Sequence, residues 1–341
     1  MKKIALAGLI VVALAAAVAY LLYSRLIGFA EQPLNPDSAE LLTVKPGTGR
    51  VALATLLEEQ KLVADAQWLP WLLRLDPSLA HYKAGTYRLT PGMTVRQLMQ
   101  LLVSGREAQF SIRFIEGTRF SEWLPILQQA AYLEQDLKGL TNTEIAQKLG
   151  IKQGSVEGWL FPDTYHYVAG TSALDILRRA HRRMEKELTA AWDGREKGLP
   201  LQSPYEMLTL ASIIEKETAV ESERTRVSSV FVNRLRLGMR LQTDPTVIYG
   251  MGEQYNGNIT RKDLQTPTAY NTYTISGLPP TPIAMPGLAS LNAAAHPDTT
   301  QYLYFVADGS GGHQFSTNLN AHNQAVRNYV KQLREKKNSD R

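Results

Sequence analysis

Two carboxylates, Glu215 and Glu217, stand at the end of an apolar run. Ser203-Pro204-Tyr205-Glu206 opens the run, and Leu208, Leu210, Ala211, Ile213 and Ile214 fill it. A carboxylate pressed against apolar surface has its pKa raised, because desolvation disfavours the charged form. Such a group stays protonated near neutral pH and can give its proton to a leaving oxygen, the task of a glycosidic general acid. At about 100° per residue, Glu217 lies roughly 70° from the apolar centre of a helix and Glu215 roughly 90°. That difference does not choose between them. Both also fit the solvated end of an ordinary helix.

The elements that must position these groups can be read from the flanking residues. Ser203, Pro204 and Glu206 form a helix start with an S-x-x-E capping box, so the spacing predicts a helix over 203–218. A second helix follows over 227–237, with Gly238 as its left-handed stop. Next comes Leu241-Gln242-Thr243-Asp244-Pro245-Thr246, in which Asp244-Pro245 also reads as a turn. Residues 266–287 carry Pro267, Tyr270-Asn271-Thr272-Tyr273, Gly277 and Pro279-Pro280, the pattern of a long loop. Loops of this length line a site or are disordered, and the tyrosines and asparagine favour the first. A hairpin is expected from 302–306 and 313–316 around Asp308-Gly309-Ser310-Gly311-Gly312, closed by a helix over 317–336.

Upstream, residues 120–200 read as mainly helical, with a basic amphipathic helix over 173–192. Glu157-Gly158-Trp159-Leu160-Phe161-Pro162-Asp163-Thr164-Tyr165 interrupts them. Its three aromatics beside acidic groups suit a loop that stacks on a sugar ring, or alternatively a core. Residues 43–115 repeat a unit of strand, Gly turn and helix, a small α+β arrangement. With Pro46-Gly47 and Pro91-Gly92 between strand and helix, this portion resembles a LysM-type module, the βααβ fold that binds N-acetylglucosamine polymers. A packing or spacer domain is the alternative.

Lys2 and Lys3 precede twenty residues without a charge, Ile4 to Tyr23. One helix of that length crosses a bilayer core, and the lysines favour a cytoplasmic N-terminus with the remaining chain outside. A cleaved signal peptide competes, but the apolar run is long for one. Residues 26–42, with Gly28, Pro33, Asn35, Pro36 and Asp37, read as a linker.

Composition narrows the classes. The 341 residues suggest two domains, and 44% hydrophobic residues supply their cores. The net charge of +5 is spread without a block of five basic residues, which argues against nucleic acid as a partner. The chain has no cysteine, so disulfides, thiolate metal sites and a cysteine nucleophile are excluded. The six histidines show no metal-binding spacing, and the Gly run fits neither a phosphate nor a calcium loop. No metal and no cofactor are expected.

Several ordered motifs give the chain a close resemblance to the YceG-like family. They are Ala211-Ser212-Ile213-Ile214-Glu215-Lys216-Glu217-Thr218, Phe231-Val232-Asn233-Arg234-Leu235, Leu241-Gln242-Thr243-Asp244-Pro245-Thr246, Tyr270-Asn271-Thr272-Tyr273 and Gly277-Leu278-Pro279-Pro280. The resemblance implies endolytic, non-hydrolytic cleavage of the β-1,4 bond between N-acetylmuramic acid and N-acetylglucosamine in peptidoglycan. The product ends would be 1,6-anhydro-muramic, and the family is associated with terminating nascent strands beside peptidoglycan synthases (penicillin-binding proteins). Lysozyme-like transglycosylases place their acid in an Ile-x-x-Glu-Ser/Thr pattern, which Ile214 to Thr218 fits with Glu217 as the acid. Gln242, Tyr270, Asn271 and Tyr273 would orient the sugar, with Asp244, Asp163 and Glu157 as polar support. The expected architecture is α+β: an anchor over 1–25, a linker over 26–42, a LysM-like domain over 43–115, and a mixed α/β catalytic domain over 116–341 with a lysozyme-like catalytic helix. The catalytic part would be periplasmic at a bacterial inner membrane. Two rivals remain: a hydrolase using Asp244 or Asp163 as second carboxylate, and a wall-binding scaffold without turnover.

Overall fold

The computed structural model describes residues 2–35, 37 and 40–339, so Pro36 of the expected linker lies outside the described residues. The chain divides into two units, residues 1–110 with 167–170 and residues 111–166 with 171–341. The fold is α+β with an apolar N-terminal helix.

The first unit begins with α1 (Lys2–Glu31). Its stretch Leu6–Glu31 is long and apolar enough to cross a membrane, and the side chains from Leu6 to Arg25 are exposed. Leu26, Phe29 and Ala30 instead turn into the core of the unit. Residues 26–31 are therefore helix, not the expected linker: three apolar side chains at i, i+3, i+4 spacing outweigh one Gly28, which costs a helix only about 1 kcal/mol. Beyond α1, the Leu34 amide donates to Met93 O at 2.8 Å, and Asn35 N to Leu62 O at 2.9 Å. β1 (Leu41–Val44), α2 (Arg50–Glu59), α3 (Leu69–Leu75) and β2 (Gly85–Arg88) follow. The two strands pair antiparallel, Leu41 opposite Arg88 and Val44 opposite Gly85. α4 (Val95–Ser104) starts at a Thr94–Gln97 capping box. Its Leu98, Met99 and Leu102 meet Leu42, Leu53, Leu57 and Leu72 in the core.

The second unit is mostly helical. β3 (Phe110–Arg113) leads to α5 (Phe120–Gln129), α6 (Asn142–Leu149) and β4 (Thr164–Tyr167), which pairs with β3. α7 (Ala173–Gly194), α8 (Pro204–Glu217), α9 (Arg224–Arg236), α10 (Asp244–Met251), α11 (Arg261–Gln265) and α12 (Leu288–Ala295) follow. The hairpin of β5 (Tyr304–Ala307) and β6 (His313–Ser316) and then α13 (Leu319–Ser339) complete it. Residues Met207 to Ile214 of α8 are all buried, and the alanine-rich α12 packs on them.

Local chemistry explains the ends that matter. Ser203 Oγ accepts the Glu206 amide, and the Glu206 carboxylate accepts the Gln202 amide at 2.6 Å. α9 stops in a Schellman turn: Gly238 adopts φ +66°, its amide donating to Leu235 O and that of Met239 to Arg234 O. Asp244-Pro245 opens α10 instead of ending as a turn, because proline at the first turn lacks only an amide that had no partner there.

Candidate active site

α8 ends at Glu217, where Thr218 takes up extended backbone. The Glu217 side chain borders a cavity of about 390 Å³ together with Arg234, Gln242, Asp244, Tyr273 and residues of the hairpin and α13. Burial pushes the Glu217 carboxyl up to about 7. The Thr243 hydroxyl, which donates to Glu217 Oε1, works against this, as do His313 and Arg234, while the Asp244 charge adds to it. The result is an acid that is half protonated near neutrality and faces open space.

Thr243 is itself held tightly. Its amide donates to Thr272 Oγ1 at 3.0 Å, and Thr246 Oγ1 lies 2.8 Å from the same oxygen. The neighbouring Gln242 is in the left-handed region at φ +52°, a conformation non-glycine residues enter only when their surroundings impose it. Arg234 imposes it. This buried guanidinium donates to Leu303 O at 2.6 Å, to Arg240 O and Leu241 O at 3.0 Å each, and to Gln242 Oε1 at 3.3 Å. Arginine can only donate, so the amide oxygen of Gln242 faces it and the Nε2 hydrogens are left for the cavity. The site therefore offers one acid and one carboxamide donor side by side.

Four of the expected site residues meet here: Glu217, Gln242, Asp244 and Tyr273, whose hydroxyl donates to Asp244 Oδ1 at 2.6 Å. The others are elsewhere. Asn271 is fully buried, and its Nδ2 donates to the carbonyls of Asp263, Leu264 and Thr266 at 3.1, 3.2 and 2.7 Å. It ties the 266–287 loop to the carbonyls before it and is not among the residues lining the Glu217 cavity. Tyr270 packs on Tyr249 and shares a 2.9 Å hydrogen bond with Thr281. Asp163 pairs with Arg183. Glu157 is 4% exposed and accepts Phe120 N at 3.0 Å and the Tyr249 hydroxyl at 3.2 Å. None of these four lines the Glu217 cavity. The aromatics of the 157–165 loop fill the core: Phe161 is buried and Trp159 stacks on Tyr205. Gly158, at φ +80°, lies so close to Pro282 that a Cβ there would sit 2.4 Å from it. Glu215 points away from the cavity residues and accepts the Gly287 amide at 2.9 Å.

Arg234, Tyr304, His322 and Asn323 were not foreseen in this cavity. Arg234 lies within a motif noted above, yet nothing local gives it a role; the others arrive from about a hundred residues downstream. His322 stacks on Tyr304 with ring centroids 5.1 Å apart, and its Nδ1 is buried without a partner among the described residues. Burial, with Arg234 adding, pushes the imidazole below its usual pKa. His313 does not meet it; His313 Nδ1 sits 2.8 Å from Glu223 Oε2. Among the described residues, no group of three or more His, Cys, Asp or Glu side chains could hold a metal ion.

Comparison with known proteins places this geometry in context. The profile of the YceG-like family matches residues 42–328. A protein of Bacillus subtilis named endolytic murein transglycosylase is 31% identical over 326 residues, 89% of each chain. A protein of the same name from Streptococcus pneumoniae is 25% identical over 337 residues, covering 87% of this chain and 60% of that one. The crystal structure of a yceG-like protein from Listeria monocytogenes superposes with a TM-score of 0.54 at 29% identity, covering 83% of this chain and 97% of that chain. The chain belongs to the YceG-like family.

Proposed function

We propose that this chain is a membrane-anchored lytic transglycosylase that cuts peptidoglycan glycan strands internally. The observation that carries the reading is the desolvated Glu217 carboxyl, with a pKa of about 7, facing a cavity beside a fixed carboxamide donor. The name shared by the Bacillus and Streptococcus relatives supports the substrate.

In this mechanism, Glu217 protonates the oxygen between N-acetylmuramic acid and N-acetylglucosamine as the C1–O bond breaks. Its Oε1 accepts the Thr243 hydroxyl, so the acid proton rides on Oε2. The carboxylate so formed takes the proton from the muramic C6 hydroxyl as that oxygen bonds to C1. A 1,6-anhydro end results, no water is consumed, and one carboxyl acts in turn as acid and base. Gln242 Nε2 donates to an N-acetyl carbonyl, while Tyr273 and Asp244 meet sugar hydroxyls.

A hydrolase is the second reading, because Asp244 lines the same cavity and could activate water. Digestion of purified murein with the product masses measured separates the two. Anhydro ends are lighter by one water than the reducing ends that hydrolysis leaves. Reducing ends alone would contradict the proposal.

The remaining assignments extend this reading. α1 serves as a single-pass anchor in the inner membrane with both units outside the cytoplasm. Residues 43–115 act as a LysM-like glycan-binding module, supported by the order β1, α2, α3, β2 and the antiparallel pairing of its strands. Peptidoglycan synthases are the partners that would deliver nascent strands.

A further inference from the structure

A cavity larger than that at Glu217, about 520 Å³, lies between the β5–β6 hairpin and α13. Its volume falls within the roughly 300–1,000 Å³ of small-ligand sites. Four carboxamides line it, Gln314, Gln324, Asn328 and Gln332, together with the phenols of Tyr302 and Tyr329. Ala321 and Ala325 keep its α13 side open. No Lys, Arg or His is among its lining residues, and its one charge, Asp308, has Oδ1 engaged by Ser310 N at 2.8 Å and Ser310 Oγ at 2.7 Å.

This chemistry selects a class of ligand. Phosphates and carboxylates are held by cations, and none is among the residues lining the groove. Carboxamides and phenols offer donors and acceptors together, which suits the hydroxyl and N-acetyl groups of an uncharged saccharide. The side-chain amides of Gln314 and Gln332 have no hydrogen-bond partner among the described residues.

The groove is also joined to the Glu217 cavity by shared walls. The hairpin borders both, and so does α13, with Leu319, His322 and Asn323 on the Glu217 side and Ala321, Gln324, Ala325 and Asn328 on the other. At about 100° per residue these two sets are centred roughly 165° apart around the helix. α13 is thus a partition with one cavity on each face.

We propose that this groove is a second glycan site, holding sugar units of the strand remote from the bond that Glu217 cleaves. The proposal rests on the reading of the chain as acting on peptidoglycan. It makes α13 a measuring element, since a strand must be long enough to reach both faces before the groove adds to binding.

The test uses the full chain in detergent on glycan strands fractionated by length. Ala325→Trp fills the groove; a second variant, Gln314→Ala with Asn328→Ala, removes two of its four carboxamides without adding bulk. Unchanged thermal unfolding confirms that each is folded. For long strands the expected result is a KM raised about tenfold with kcat unchanged, the mark of lost uniform binding. The effect should shrink as strands shorten. In the Glu217→Gln background, long strands should bind correspondingly less tightly when the groove is filled. If both folded variants cleave long strands with the wild-type KM, the second site is refuted while the activity stands. If the wild-type chain cleaves no strand at all, both the activity and this site are refuted.

Discussion

Glu217 keeps its proton near neutrality because protein surrounds its carboxyl, while the Thr243 hydroxyl limits how far its pKa climbs. An acid of this kind must lose activity as pH rises through about 7. Thr243→Val removes the hydrogen bond that favours the charged form, so the alkaline limb should move to higher pH even as kcat falls about tenfold or more, while Thr243→Ser should retain both. A pH–rate profile of the three proteins checks this. Gln242→Ala should raise KM about tenfold for N-acetylated strands and leave de-N-acetylated strands unaffected, the value of roughly one hydrogen bond. Paired kinetics on the two strand types decide it. At this scale the sequence was partly legible. A glutamate after a run of buried apolar residues announces itself, and so does a buried helix. Arg234 did not, because its value lies in four acceptors brought to it by folding, three of them backbone carbonyls that carry no residue signature.

Among the elements, the 266–287 loop divides its polar residues: Tyr273 lines the Glu217 cavity and Asn271 does not. Asn271 has the residue type of a sugar-binding group, yet its three carbonyl partners make it the internal clasp of that loop. Asn271→Ala leaves those carbonyls without their partner in a partly buried place and should cost about 1–2 kcal/mol, read from urea unfolding. Glu157 joins the first turn of α5 to Tyr249 of α10, and burial pushes its carboxyl up to about 7 from an ordinary 4.5, against the opposing Phe120 and Tyr249 hydrogen bonds. Between those two values the native state holds a proton that the unfolded chain has released. Stability must therefore fall as pH rises through that window and level off above about 7. Glu157→Gln keeps the bond from the Phe120 amide, with Nε2 now donating to the Tyr249 hydroxyl, and removes the charge. It should flatten part of that fall, with a gain over wild type of up to about 3 kcal/mol at pH 8 and none at pH 4. Chemical unfolding at a series of pH values measures both ends. Helix starts and the hairpin were readable because caps and turn residues act locally. The partnership of β3 with β4 and of α8 with α12 was not, since each joins residues far apart in sequence.

Over the whole molecule, α1 does two things along one unbroken helix. Its exposed stretch is long enough to cross a membrane, and its last turns supply Leu26, Phe29 and Ala30 to the core of the first unit. A chain beginning at residue 25 should thus be released from membranes and remain folded. A chain beginning at residue 32 loses those three side chains and should lose several kcal/mol from the first unit, at about 1.5–3 kcal/mol for a buried Leu or Phe. Membrane fractionation and thermal unfolding of the two truncations distinguish these effects. The apolar run was plain in the sequence. Its continuation into the core was hidden by Gly28 and by the prolines that follow.

The central claim is that one carboxyl at the end of α8 carries the chemistry, and Glu217→Gln compared with Glu215→Gln on the same murein tests it most directly. With both variants folded, loss of all anhydro products in Glu217→Gln, and their continued release by Glu215→Gln, is the predicted result. Full product release by Glu217→Gln, or its loss only in Glu215→Gln, would contradict the account.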